Sequence, residues 1–342
     1  MKTKLVYVVA SSDEDYYMEQ AIVSAWSARY YNPDAIITLV CDQDTNVTLQ
    51  TGFRQQYAKD LFDEVIVQQF PESCTMIERS RVMKTNLRNI IDGDYLFLDT
   101  DTIVCKNLSF IDLFSFDLGF VYDQNCLFED FIIRDTVLHK MKDIYHLDVS
   151  LEREYFNGGV SFVKDTPKNH DFFTLWNELW KYSFEHYGDY KDQQPLFKAN
   201  IEMMYPITAM QGEMNCQILT NVNHLSEAAI IHIYNNLAGT SPSITPFHDP
   251  KTYYYVKEKG ITKELETLIL NAKSSFSSPV FLLTGTQAKT WRSIIPYEHH
   301  FDALRSNSCQ LIMGIKRHFP VIFSFIEWLS GLIIRIKQRL VK

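Results

Sequence analysis

The stretch YLFLDTDTIV, residues 95–104, decides how the rest of the chain is read. Four apolar, strand-forming residues run directly into Asp99, Thr100 and Asp101. Two carboxylates so close repel each other unless a cation lies between them or one takes a proton. Residues i and i+2 of a strand point the same way. Asp99 and Asp101 therefore aim into one space if the strand runs on, and they can still converge if the chain turns. Either geometry suits an oxygen-ligated divalent cation, Mn²⁺ or Mg²⁺, of the kind that clamps a diphosphate.

Upstream, KLVYVVA at 4–10 reads as a buried strand followed by the polar turn SSDED. Met18, Ala21, Ile22, Ala25 and Trp26 then recur at helical spacing until Asn32-Pro33 stops the helix. IITLVC at 36–41 is a second strand, which completes a parallel crossover unit. VIV at 65–67, a helix near 78–91, YLFLD and GFVY at 119–122 continue the alternation. Such a doubly wound α/β sheet binds ligands beyond the C-terminal ends of its strands, and both the 10–16 turn and Asp99/Asp101 lie at such ends. Further on, a strand at 159–163, an aromatic-rich helix at 171–187, a strand AAIIHIY at 228–234 and a short helix TKELETLIL are expected.

The 342 residues carry a formal charge of −9, which argues against nucleic acid as a partner, since that would need a basic footprint. The charge is uneven. Residues 316–342 hold six Lys/Arg against Glu327 alone, so this tail is +5 and the remainder −14. Its apolar run from Phe319 to Ile334 is interrupted by Glu327 and Gly331 and falls short of the ~20 residues of a spanning helix. Aromatics and aliphatics followed by Arg and Lys read as an amphipathic helix lying on an anionic membrane surface. Six scattered cysteines without a C-x-x-C pair and a short, soon-acidic N-terminal apolar run predict a cytoplasmic protein, which the basic tail would make peripheral on the inner face of the membrane. No G-x-G-x-x-G or G-x-x-x-x-G-K occurs, so neither a dinucleotide nor a P-loop site is expected.

Several segments, in order, resemble the family-8-like GT-A retaining glycosyltransferases, which include bacterial lipo-oligosaccharide galactosyltransferases and glycogenin-like proteins. VVASSDEDY (8–16) is similar to that family's opening nucleotide-binding turn, and RSRVMK (79–84) to its Arg-bearing helix start. YLFLDTDTIV matches its D-x-D strand, YFNGGV (155–160) its donor-sugar segment, KDQQPL (191–196) its catalytic segment and IIHIY (230–234) the strand of its third metal ligand. The fold so implied is a Rossmann-like, mostly parallel nucleotide-diphospho-sugar transferase sheet over 1–250. A C-terminal helical extension follows, with a subdomain at 251–315 and the tail helix at 316–342.

The resemblance implies a UDP-hexose donor bound by Ala10, Ser11, Asp13, Tyr16, Arg81, Lys84, Asp99, Thr100, Asp101, Asn157, Gly158 and Gly159. Arg79 and Arg88 compete for the cationic role. The metal ligands implied are Asp99, Asp101 and His232, with His224 as local competitor. Asp192 would grip a sugar hydroxyl and Gln193 would lie against the anomeric carbon, although Asp192 also reads as a helix N-cap. The product would be a glycan or glycolipid of a bacterial surface polysaccharide or lipopolysaccharide. Where the family often has Gly and Lys after its His, this chain has Asn235 and Ala238. That departure favours a degenerate nucleotide-sugar binder as one alternative. A haloacid-dehalogenase-type phosphatase is another, but its D-x-D opens the domain, whereas a strand–helix–strand unit precedes this one.

Overall fold

A computed structural model gives the structure of residues 1–220, 222–234 and 245–276, and of seven positions between 318 and 328. The chain divides into two compact units, Met1–Val280 and Phe281–Lys342.

The strands of the first unit are β1 (Lys4–Val9), β2 (Ile37–Asp42), β3 (Glu64–Gln68), β4 (Tyr95–Leu98), β5 (Thr102–Val104), β6 (Leu118–Tyr122), β7 (Phe156–Val163), β8 (Thr208–Ala209), β9 (Cys216–Gln217) and β10 (Ile230–His232). The α-helices are α1 (Tyr17–Tyr31), α2 (Gln43–Thr48), α3 (Gly52–Leu61), α4 (Met76–Thr85), α5 (Arg134–Tyr145), α6 (Pro167–Tyr187), α7 (Gln193–Glu202), α8 (Pro250–Lys259) and α9 (Lys263–Leu270). Seven strands form the main sheet in the order β3-β2-β1-β4-β7-β6-β8. Its β1–β4 half is parallel throughout, and β7 runs antiparallel to both neighbours. The chain is therefore α/β with a mostly parallel central sheet, as the apolar runs predicted.

Side-chain alternation places β1 between two cores. Leu5, Tyr7 and Val9 pack with Met18, Ile22 and Ala25 of α1 on one face. Val6 and Val8 pack with Met83 and Leu87 and with Phe172 and Trp176 of α6 on the other. Strand β4 divides the same way, Leu96 and Leu98 to the first face and Tyr95 and Phe97 to the second. A strand covered on both faces reads as a continuous apolar run, which is why KLVYVVA and YLFL carry no polar alternation. Each fully buried Leu, Val or Phe contributes roughly 1.5–3 kcal/mol.

Strand β4 stops at Leu98, and residues 99–101 turn the chain out of the main sheet into β5. There β5 joins a second, three-stranded sheet of order β5-β10-β9. Thr102 pairs with His232 across the antiparallel β5–β10 ladder. The two aspartates thus occupy the bend between two sheets, and the second sheet brings His232 to them.

The first unit extends past the expected boundary at 250, because α8 packs on α1 and α3 and α9 packs on α1. Helix α8 also holds the first loop: Lys257 Nζ donates to the carbonyls of Asp13 (2.9 Å) and Asp15, and Tyr253 stacks on Tyr16. Most of the expected 251–315 subdomain beyond residue 276, and most of the tail, lie outside the described residues. In the second unit, Val321, Ile322, Phe325 and Trp328 are helical and exposed. No described helix is long and apolar enough to cross a membrane.

One buried ion pair locks α1 to α3. Arg54 donates through Nε and Nη2 to both oxygens of Glu19, at 2.7 and 2.9 Å, with both side chains buried. Among the described residues, removing Arg54 leaves the buried Glu19 carboxylate with only Lys257, whose Nζ lies 3.8 Å from Oε2. Arg54→Leu is therefore expected to destabilise the protein by about 3 kcal/mol, and adding Glu19→Gln to recover part of the loss. Urea unfolding of the two variants measures both effects.

Candidate active site

The end of β1, the N-terminal turns of α1 and α4, and the 99–101 bend enclose a cleft of about 320 Å³, with Ala10, Tyr17, Ile77, Arg81, Thr100 and both aspartates on its wall. At its floor, one donor atom each from Asp99, Asp101 and His232 lie within 4.8 Å of one another. Asp99 and Asp101 keep about a quarter of their side-chain surface open (27% and 25%), while His232 is buried. The two carboxylates suit Mn²⁺ or Mg²⁺, and the imidazole favours the softer of the two, Mn²⁺. The backbone of Gly159 completes the cradle, since a Cβ there would collide with the His232 ring and come within 2.9 Å of Asn157 Oδ1.

Lys84, buried near the end of α4, answers the charge problem on one side. Its Nζ donates to both oxygens of Asp99 at 3.0 Å and lies 3.1 Å from Asp192 Oδ2. Burial alone would push the Asp192 carboxyl up, but Lys84 and Arg81 outweigh it and hold the group well below the usual carboxylate range. Burial works to lower Lys84, and Asp192 and Asp99 reverse that, so the ammonium is retained. Asp192 raises the Arg81 guanidinium in turn. Asp99 is raised, first by burial and then by Asp101, with Lys84 opposing. Asp101 is lowered: His232, whose Nε2 lies 3.2 Å from its Oδ1, outweighs its burial.

A second group of polar side chains lies behind the imidazole. His232 Nδ1 is 2.9 Å from Asn215 Oδ1, and Asn215 Nδ2 donates to Asn157 Oδ1 at 3.0 Å. Asn157 Nδ2 donates to Asp123 Oδ1 at 3.0 Å, and Gln193 Nε2 donates to Asp123 Oδ2 at 2.7 Å. Burial raises the Asp123 carboxyl, against the hydrogen bonds from Asn157 and Gln193.

Of the residues expected from the sequence, the structure brings together Ala10, Arg81, Lys84, Asp99, Thr100, Asp101, Asn157, Gly158, Gly159, Asp192, Gln193 and His232. The Gly158 Cα edge faces Asp192 and Lys84, since a Cβ there would lie 3.5 Å from Asp192 Oδ2. The remaining three are committed elsewhere. Ser11 Oγ donates to Asp15 Oδ1 at 2.5 Å, inside a turn that Asp15 ties together. Asp13 is exposed, 3.8 Å from Arg54. Tyr16 lies parallel to Tyr253 at 5.7 Å, and Tyr17 rather than Tyr16 is on the cleft wall.

The competing cations are structural. Arg79 pairs with Asp42 and Asp44, and Arg88 is fully buried and donates to the carbonyls of Gly93 and Ile91. His224 lies 3.9 Å from Glu213, away from the triad. Asp192 does stand at the N-cap of α7 but makes no capping hydrogen bond; its carboxylate turns to Lys84 instead. Asn235 and Ala238 lie outside the described residues.

Sequence reading missed Asp123, Asn215 and Tyr17. Asp123 had a signal, because it follows the apolar strand GFVY as Asp99 follows YLFL. Asn215, in GEMNCQ, had none.

No protein-family model matches this chain, and no curated protein matches it. Solved structures do. Mouse xyloside xylosyltransferase 1 in its apo form is 13% identical over 71% of this chain and all of its own, with a TM-score of 0.46. The galactosyltransferase LgtC, in complex with donor and acceptor sugar analogs, is 16% identical over 78% of this chain and 99% of its own, with a TM-score of 0.46. The glycosyltransferase GlyE of Streptococcus pneumoniae TIGR4 is 15% identical over 82% of this chain and 67% of its own, with a TM-score of 0.43.

The triad has a definite pH dependence. Burial works to lower the His232 pKa, but Asp101 and Asp99 together raise it above its ordinary value of 6.5. The imidazolium therefore persists to higher pH than in a free histidine, and a metal must displace its proton. In the metal-free protein, the stabilisation from this raised group is complete below 6.5 and is lost as pH climbs through the folded-state value. Mn²⁺ affinity is expected to rise over that same window. Calorimetric titration with Mn²⁺ between about pH 5.5 and 8.5, a range bracketing the ordinary histidine value, checks the sign.

Proposed function

We propose that the chain is a metal-dependent, retaining glycosyltransferase of GT-A type that moves a hexose from a UDP-sugar to a glycan or glycolipid acceptor. The observation that carries this reading is the convergence of Asp99, Asp101 and His232 at the floor of a cleft, with the Lys84–Asp192 pair and Gln193 beside it. Asp99, Asp101 and His232 would hold Mn²⁺ or Mg²⁺. A cation bound there supplies positive charge to the diphosphate as it leaves.

The chain's own residues do the rest. Tyr17 and Ala10 line the part of the cleft open to a nucleobase and ribose, and Arg81 offers a guanidinium fork to phosphate or hydroxyl oxygens. Asp192, kept ionised by Lys84 and Arg81, accepts hydrogen bonds from sugar hydroxyls. The Gln193 amide nitrogen is held by Asp123, so its carbonyl oxygen is the polar atom left to face an oxocarbenium-like centre. A carboxamide is a poor nucleophile. The acceptor oxygen therefore attacks from the face the diphosphate leaves, passing its proton to a departing phosphate oxygen, and the anomeric configuration is retained.

The 316–342 segment completes the reading. Its exposed Phe319, Val321, Ile322, Phe325 and Trp328, followed in sequence by four Lys/Arg after residue 334, match an anionic lipid surface in charge and apolar area. A surface polysaccharide or lipopolysaccharide acceptor at the inner face of a bacterial membrane fits this placement.

Two measurements test these statements. With Mn²⁺ and no acceptor, the protein is expected to release UDP from UDP-glucose or UDP-galactose, and Asp101→Asn to lose that release by at least about a hundredfold. Orthophosphate released from simple phosphomonoesters instead would overturn the transferase reading. Full-length protein is expected to sediment with anionic vesicles at low salt, and protein lacking 316–342 to stay in solution while still binding UDP-sugar; a full-length protein that remains soluble removes the membrane claim.

A further inference from the structure

The polar groups behind His232 are connected in one direction, and a single backbone group fixes that direction. The amide of Gly159 donates to Asn157 at 2.9 Å, and a backbone N–H can only donate. The Asn157 atom it meets is therefore the carbonyl oxygen, Oδ1, so Asn157 turns its NH₂ to the carboxylate of Asp123. The same Oδ1 also receives Asn215, so Asn215 must present its own NH₂ there. That leaves only the carbonyl oxygen of Asn215 to face His232 Nδ1, at 2.9 Å. A carbonyl cannot donate, so Nδ1 carries the proton.

The geometry points to Asn215 as the residue that holds the His232 proton on Nδ1, so that Nε2, which faces Asp101, is the nitrogen that gives up its proton when a metal binds. Asn215 touches neither carboxylate and is a positioning residue. It is fully buried, as a group with this role must be if water is not to supply the alternative partner. The second nitrogen of a metal-binding imidazole is normally held by such an acceptor, which fixes both ring orientation and basicity. The connection runs further. Asp123 takes Asn157 on one oxygen and Gln193 on the other, so the group that orients the imidazole also ends at the side chain proposed to face the reacting carbon.

This inference rests on the metal-binding reading of the triad, and its test separates the two. Mn²⁺ alone is titrated into wild type, Asn215→Leu and Asn215→Asp. The leucine removes the acceptor; the aspartate keeps an oxygen for Nδ1–H. Asn215→Leu is expected to weaken Mn²⁺ binding by about 10–100-fold, the usual effect of losing such an outer partner, and Asn215→Asp to restore it to within a few-fold of wild type. A merely structural role predicts the opposite order, because a buried carboxylate beside Asn157 Oδ1 disturbs packing at least as much as leucine does. Should Asn215→Leu fail to fold, Asn215→Ala, which removes the acceptor without added bulk, decides: Mn²⁺ binding weakened about 10–100-fold supports the assignment and wild-type affinity overturns it. Wild-type affinity in a folded Asn215→Leu, or no recovery in Asn215→Asp, also overturns it. A wild type that binds no Mn²⁺ overturns the metal reading beneath it as well.

Discussion

Lys84 is the cation on which the rest of the site depends. It comes from the last turn of α4, lies buried against the Phe97 ring, and reaches Asp99 at the end of β4 and Asp192 at the start of α7. Without it, among the described residues, Asp99 would have no cationic side chain in contact and Asp192 would keep only Arg81, so the repulsion among Asp99, Asp101 and Asp192 would favour a proton on one of them. With it, Asp192 stays ionised and Asp99 has one partner that is not a metal. The same contact ties three elements that are distant in sequence, so the geometry at the strand end is held by charge as well as by packing.

The other aspartate of the pair is neutralised by a different device. Asp101 faces His232, which belongs to the small second sheet and arrives there because Thr102 and His232 are cross-strand partners. Two carboxylates one residue apart are thus assigned to two different positive partners, one from a helix of the main layer and one from an added strand. Their residual exposure leaves oxygen lone pairs toward the cleft. A cation entering from solvent meets a site whose repulsion has already been divided, and it competes with a proton on His232 rather than with a collapsed carboxylate pair.

Much of this was legible in the chain alone. The parallel half of the sheet could be read because strands buried on both faces are unbroken apolar runs, and because the turns between them carry their own stop signals, as at Asn32-Pro33. The site's outline could be read where polar residues terminate such runs: Asp99 after YLFL, and, unread, Asp123 after GFVY. Segment 134–145 did not announce itself as a helix, since its apolar positions serve a local cluster with Phe128, Tyr155 and Phe197 rather than the main core. Asp192 was readable as the start of a helix, but not as a residue whose side chain declines to cap it. Helix termini reveal position in the sequence; whether a carboxylate turns inward depends on a lysine more than a hundred residues away.

What the sequence determined by itself is therefore the long strands of the main sheet and the strand of His232, though not β5, β8 or β9, together with the strand-end edge and the chemical type of the groups placed there, because these follow from local periodicity and from solvation of each segment. Tertiary structure alone decided which groups are paired. Arg81 and Lys84 face the carboxylates while Arg79 and Arg88 of the same stretch are spent on Asp42 and on main-chain carbonyls. Tyr17 lines the cleft while Tyr16 stacks on Tyr253 from a helix near the other end of the unit. Asn215, with no pattern around it, orients the imidazole. Pairing of this kind is a matter of distance and direction across the fold, and hydrogen bonds and ion pairs fall off within ångströms, so no spacing along the chain encodes them.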